Sequence, residues 1–244
     1  MIFNEKQMII SHKHKYIFIK TQKTAGSSIE IFLSRFCSED DIITPLSLAD
    51  EKIRQEWQGC TPRNYTRPLK LIEYRLEHLK KLIIHQEKGT KNIFWPHMPA
   101  KSIKAIVGEE IWNSYFKFCF VRNPWDAVIS RYYWYMNKSN ETTNHVELDD
   151  FLNKFDPHNN FYKYTINDEL AVDYVGKYEA LIESMRVICQ KIGLPFDDSL
   201  PRAKSQTRKD KRHYSTIFNE VQADYVKQKC LKEIELFGYI YENK

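Results

Sequence analysis

The chain has 244 residues, 42% hydrophobic and 28% charged, a balance that suits a globular protein and excludes a disordered or fibrous one. Its 37 Lys and Arg against 32 Asp and Glu leave a formal charge of +5, spread without a long basic tract, which favours a small anionic ligand over a nucleic-acid coat. No run approaches the roughly 18 to 20 apolar residues of a membrane helix, the opening MIFNEKQMII lacks a signal-peptide layout, and five scattered cysteines without a CxxC pair signal neither a disulfide framework nor a zinc site. One soluble, cytoplasmic domain over 1–244 is expected, with no metal.

Tyr16-Ile17-Phe18-Ile19 has the length and composition of a buried strand. Gly26, one of only seven glycines, follows beside Ser27 and Ser28 at a strand-to-helix junction, which marks a specific backbone need. Ile29, Phe32, Leu33 and Phe36 then form one face of an amphipathic helix, with Glu30 in a first turn where the helix dipole favours negative charge. From 38 to 68, three prolines interrupt any pattern, and loops with short helices are expected. From Pro68 to Lys88, Ile72, Leu76, Leu79 and Ile83 recur at helical spacing before Gly89, which predicts a helix. Pro99 opens another, carrying Ile103, Ile106 and Val107 and ending near Gly108.

Phe116 to Val121 reads as a second buried strand, ended by the turn Arg122-Asn123, with Pro124 at the first position of the next helix. Val172 to Tyr178 predicts a third strand, and Leu181 to Ile192 a helix stopped by Gly193 and Pro195. A basic loop from Arg202 to Arg212 precedes one last helix carrying Val221, Tyr225, Leu231 and Ile234. Strands alternating with helices argue for an α/β three-layer sandwich with a mainly parallel sheet and ligands near the carboxyl ends of its strands.

Lys20 to Ser28 joins the first strand to the first helix, where backbone N–H groups converge on an anion with the helix dipole behind them. Its lysine, Lys23, precedes the glycine, so the segment departs from the Walker pattern GxxxxGKS/T and disfavours ATP or GTP hydrolysis. Lys23-Thr24-Ala25-Gly26-Ser27-Ser28 resembles the phosphosulfate loop of sulfotransferases that use 3′-phosphoadenosine-5′-phosphosulfate (PAPS), in the form found in the carbohydrate sulfotransferases of the Golgi, the heparan and chondroitin type. Phe120-Val121-Arg122-Asn123-Pro124-Trp125-Asp126-Ala127-Val128-Ile129-Ser130-Arg131-Tyr132-Tyr133 resembles the same family's 3′-phosphate motif. His97-Met98-Pro99-Ala100, Asp173 to Glu179 and Phe237-Gly238-Tyr239 extend the likeness from about Lys15 to Tyr241. Two departures stand out: Gln22 replaces the proline often found before the loop lysine, and no Golgi membrane anchor is seen, which leads to the expectation of a bacterial or viral enzyme in the cytosol.

The resemblance implies the P-loop-like sulfotransferase fold, PAPS as sulfonate donor, 3′-phosphoadenosine-5′-phosphate (PAP) as product, and a hydroxyl of a carbohydrate or small molecule as acceptor. It implies that Arg122 and Ser130 hold the 3′-phosphate, that Thr24, Ala25, Gly26, Ser27 and Ser28 hold the 5′-phosphate, and that Lys23 both binds there and stabilises charge on the leaving oxygen. His97 is the first choice for the base that deprotonates the acceptor, its ordinary alternatives being a cap on the helix opened by Pro99 or packing against Trp95. Glu30 and Glu179 are fallbacks, and Arg208 of the basic loop is assigned to the nucleotide, with a solvated charge run as its plain reading. Two rival functions remain, a P-loop kinase or NTPase and a non-catalytic module that binds 3′-phosphoadenosine nucleotides or RNA. Residues 38–95 carry the weakest resemblance, and acceptor selectivity is expected there.

Overall fold

A computed structural model of the chain describes residues 8–73, 89–95, 97–138, 146–157, 160–203 and 210–242. Strand β1 (Ile9–Ser11) turns back antiparallel into β2 (Tyr16–Ile19), and helix α1 (Gly26–Ser34) follows. β3 (Ile42–Ile43) pairs with the other edge of β1, and α2 (Leu48–Glu56) starts at Ser47, whose hydroxyl accepts from the Asp50 N–H. β4 (Thr66–Pro68) and β5 (Thr90–Asn92) form a separate antiparallel ribbon. Then come α3 (Ala100–Ser114), β6 (Phe116–Val121), α4 (Pro124–Lys138), α5 (Leu148–Lys154) and the short α6 (Phe161–Tyr164). A small hairpin of β7 (Thr165–Ile166) and β8 (Glu169–Leu170) leads to β9 (Tyr174–Lys177), α7 (Leu181–Ile192), α8 (Glu220–Lys229) and α9 (Leu231–Phe237).

The main sheet runs β3-β1-β2-β6-β9. β2, β6 and β9 are parallel neighbours, and β1, antiparallel to both β2 and β3, is the one strand of the five running the other way, so the sheet is mainly parallel. Side chains alternate between its faces. Ile10, Ile17, Ile19, Cys119 and Val121 meet Ile103 and Trp112 of α3 and Tyr164 of α6, whereas Ile9, Phe18, Phe118 and Phe120 meet Ile29 and Phe32 of α1 and Met185 and Ile188 of α7. The result is the expected three-layer sandwich. A third apolar cluster joins Trp125 and Ile129 of α4 to Phe151, Val226 and Ile234. No helix among the described residues is long and apolar enough to cross a membrane.

The first two strands and the Gly193 stop, with its φ of 69°, fall as expected, and other expectations change. Pro99 lies just outside its helix, and Gly108 interrupts that helix at φ 82°, ψ 167°, a conformation reserved for glycine, so the chain bends and continues to Ser114 instead of stopping. The third strand is confined to Tyr174–Lys177. The last helix divides into α8 and α9 because Cys230 leaves helical geometry (φ −107°, ψ 19°), which lets Val226 and Ile234 both turn into the third cluster. Pro68 ends a strand where a helix start is expected, while 74–88, the body of that expected helix, lies outside the described residues.

Candidate functional site

The site begins where β2 ends and the chain must reverse into α1. Lys23 and Ala25 take positive φ, 64° and 61°, so the backbone need expected of Gly26 is met by its neighbours instead. Gly26 serves a different purpose: a Cβ there would lie 2.4 Å from Cε of Lys20, whose side chain runs across it. The first N–H groups of α1 have no acceptor within the helix and the N-cap side chain supplies none, an arrangement that suits an anion.

Lys20 is buried under this loop at 4% exposure. Its Nζ donates to Ser27 Oγ (3.3 Å) and to Glu30 (3.4 Å), which Arg54 of α2 also reaches at 3.2 Å. Complete burial outweighs both cations and pushes the Glu30 carboxyl up to about 7. The helix starts at Gly26, so Glu30 lies beyond its first turn and not, as expected, within it; sealed at 0% exposure between two cations, it braces the loop from below. Thr21 clamps the loop to β6, its hydroxyl donating to the Phe120 carbonyl, and the Thr21 and Thr24 hydroxyls lie 2.8 Å apart. Gln22 forms a two-way amide pair with Asn160: its N–H donates to Oδ1 at 2.7 Å, and Nδ2 donates back to its carbonyl at 3.0 Å.

The second motif lies beside the first. Arg122 directly follows β6, and its fork donates to the Lys23 carbonyl (2.8 Å) and to Asp126 (2.7 Å), with its guanidinium carbon 3.9 Å from the Tyr178 ring centre. Asn123 starts α4, its Oδ1 accepting from the N–H groups of Trp125 (3.1 Å) and Asp126 (3.4 Å). Ser130 lies about two turns into α4, half-buried. Lys23 Nζ stands 5.7 Å from the Trp134 ring centre, so α4 and the loop face each other.

His97 comes from the segment before α3 and takes a φ of 49° to present its ring to the loop. Its Nδ1 is 3.0 Å from the Lys20 carbonyl; a carbonyl only accepts, so Nδ1 is the donor of this pair. Glu179 turns elsewhere, accepting from the Asn123 N–H at 2.6 Å and the Tyr239 hydroxyl at 3.3 Å. Arg208 lies outside the described residues. The flanks of its loop approach both motifs: the Ala203 N–H donates to Ser28 Oγ at 3.3 Å, and Asp210 accepts from the Tyr133 hydroxyl at 2.6 Å.

Beside Lys23 opens a narrow cleft walled by Ala127 and Arg131 of α4, by Phe151 and Phe155, and by Asn160. Lys20, Asn160 and Arg131 were not singled out from the sequence. The lysine immediately after the strand, ten residues before an acidic helix residue, offered a signal for Lys20; nothing local pairs Gln22 with a residue 138 positions away.

The arrangement gathers an uncapped helix start, a lysine, a split guanidinium and a histidine at the carboxyl end of a parallel sheet, a place suited to a phosphorylated ligand. An uncharacterized protein of Archaeoglobus fulgidus is 38% identical over 103 residues, 40% of this chain and 84% of that protein. The crystal structure of mouse sulfotransferase SULT7A1 complexed with PAP superposes over 95% of this chain and 91% of its own, with 12% identity and a TM-score of 0.45. The model of the Sulfotransferase family matches residues 6–243, nearly the whole chain with both motifs inside it, and the chain belongs to that family.

Proposed function

We propose that the chain transfers a sulfonate group from PAPS to a hydroxyl of a carbohydrate or small-molecule acceptor. The observation that carries this reading is the joining of the two phosphate motifs through the Arg122–Lys23 carbonyl bond. The residues fit the nucleotide. The positive φ of Lys23 and Ala25 turns the loop toward the uncapped start of α1, where Gly26 to Ser28 would hold the 5′-phosphate, and Arg122 with Ser130 would hold the 3′-phosphate. Arg208 is retained as a further nucleotide contact, since both flanks of its loop reach the motifs.

When bound, PAPS supplies the sulfonate: its bond from sulfur to the 5′-phosphate oxygen breaks as the acceptor oxygen bonds sulfur, the acceptor proton passes to a base, and PAP leaves. Lys23 places a full positive charge at the loop, where negative charge builds on the leaving oxygen. His97 is the base in this scheme. Its Nδ1 lies 3.0 Å from the Lys20 carbonyl, a contact that sets the ring against the loop, and Nε2 is the nitrogen assigned to take the proton. Thr21 and Asn160 fix the loop backbone, so that Lys23 is positioned before any ligand arrives. Within 38–95, the β4–β5 ribbon is kept as a candidate for acceptor choice.

The test is a thermal-shift titration with PAP beside ADP and ATP. At 100 times its Kd, PAP adds about 2.7 kcal/mol of stability. A shift specific to the 3′-phosphorylated nucleotide and lost in Arg122→Ala supports the reading. Equal shifts with ADP and ATP favour a kinase or NTPase, and no shift with PAP overturns it.

A further inference from the structure

Arg131 stands one helical turn from Ala127 on the wall of the cleft that also contains Lys23. Arg54, Arg67, Arg122, Arg186 and Arg212 each pair with a carboxylate within 4 Å. Arg131 does not, and neither does the exposed Arg35. Among the described residues the guanidinium of Arg131 makes no hydrogen bond and no such ion pair, and it rests 5.3 Å from the Phe155 ring centre. Asp156 lines the same cleft and attracts it only from a distance. Lys163, packed nearby at 2% exposure, is pushed down to about 8 by burial and by repulsion from Arg131. Burial disfavours the charge of Arg131, and an arriving anion would offset that cost while filling its donors.

We propose that Arg131 is a specificity residue of the acceptor site, holding a carboxylate or another planar-fork-matching oxyanion on the acceptor. This rests on the sulfonate-transfer reading, which places the acceptor beside Lys23. The guanidinium offers parallel donors that suit a carboxylate, sulfate or phosphate ester. Phe155 flanks the guanidinium, and with Phe151 it gives the cleft an apolar side against which the charged fork is set. Asn160, locked to Gln22 on both sides of its amide, ties this wall to the loop that carries Lys23, so anion and reacting hydroxyl are held by connected parts.

The test uses the full chain and three probes, 4-nitrophenyl β-D-glucuronide, 4-nitrophenyl phosphate and the neutral 4-nitrophenyl β-D-glucoside, titrated calorimetrically with and without saturating PAP. At least one anionic probe should bind about tenfold or more tightly than the glucoside, in keeping with a hydrogen bond to a charged group. Arg131→Gln should bring that ratio to within about twofold and Arg131→Lys should keep part of it, as a point charge without the fork would. Ligand-free melting and PAP affinity, measured on both variants, should match the wild type, which separates a lost subsite from a lost fold. No preference for either anionic probe, or equal weakening of charged and neutral probes in Arg131→Gln, overturns the proposal. Failure of the wild type to bind PAP defeats the sulfonate-transfer reading alone, because the PAP-free titrations still decide whether Arg131 holds an anion.

Discussion

The guanidinium of Arg122 donates to the backbone carbonyl of Lys23 across 2.8 Å, joining residues 99 positions apart. The residue expected to bind one phosphate therefore also fixes the loop expected to bind the other, and it does so with a single side chain whose remaining nitrogens face Asp126. Positioning of the loop and charge at the site are coupled from the start.

Arg122→Lys keeps the charge but cannot span both partners, so it should bind PAP about 10 to 100 times more weakly, the range for hydrogen bonds to charged groups. Calorimetric titration checks this. An affinity equal to wild type would mean that charge alone suffices.

Lys23→Ala should lower kcat by about 10²- to 10³-fold, the range for losing one transition-state donor, while PAP affinity changes far less. His97→Ala should lower kcat by about 10²- to 10⁴-fold and flatten the acidic limb of the pH–rate profile. Initial rates across pH 5.5 to 8.5 with radiolabelled donor measure both. An unchanged profile in His97→Ala would remove it as the base.

Gly26→Ala should force the Lys20 side chain away from Ser27 and Glu30, since the new methyl would sit 2.4 Å from Lys20 Cε. Overpacking of this kind costs about 1 to 3 kcal/mol. Thermal melting gives the size, and a reduced PAP shift in the same samples reports the disturbed loop.

Glu30→Ala leaves Lys20 and Arg54 facing each other in a sealed site without their shared carboxylate, a loss of about 3 to 5 kcal/mol. The melting temperature should fall by on the order of 10 °C. Adding Lys20→Met should recover part of it by removing one stranded charge.

Glu233 accepts from the Tyr164 hydroxyl at 2.7 Å, and burial pushes its carboxyl from 4.5 to about 7. The folded protein thus holds this proton more tightly than the unfolded chain. The stabilisation is fully present below about pH 4.5 and fades as the pH rises through about 7, by up to about 3 kcal/mol. Melting of wild type against Glu233→Gln from pH 4.5 to 8 should show the gap moving in favour of Gln as pH rises; a constant gap would refute the shift.

How much the sequence determined depends on how far apart the interacting residues are. Tyr16–Ile19, Phe116–Val121 and Leu181–Ile192 were legible because burial on both faces demands uninterrupted apolar strands and a helix needs a periodic stripe with a glycine stop. The two junctions at Lys20–Ser28 and Arg122–Asn123 were legible for the same local reason: each is a strand, a turn and a helix start within about a dozen residues. The resumption of the helix after Gly108 and the break at Cys230 were not, since a glycine marks an interruption without saying whether the helix resumes, and no local signal marks Cys230. The bracing of Lys20 by Glu30 and Arg54, the amide pair of Gln22 with Asn160 and the orientation of His97 by the Lys20 carbonyl were settled by tertiary structure alone. Each joins segments that pattern reading treats separately, and their geometry exists only once the sheet has set the order of its strands.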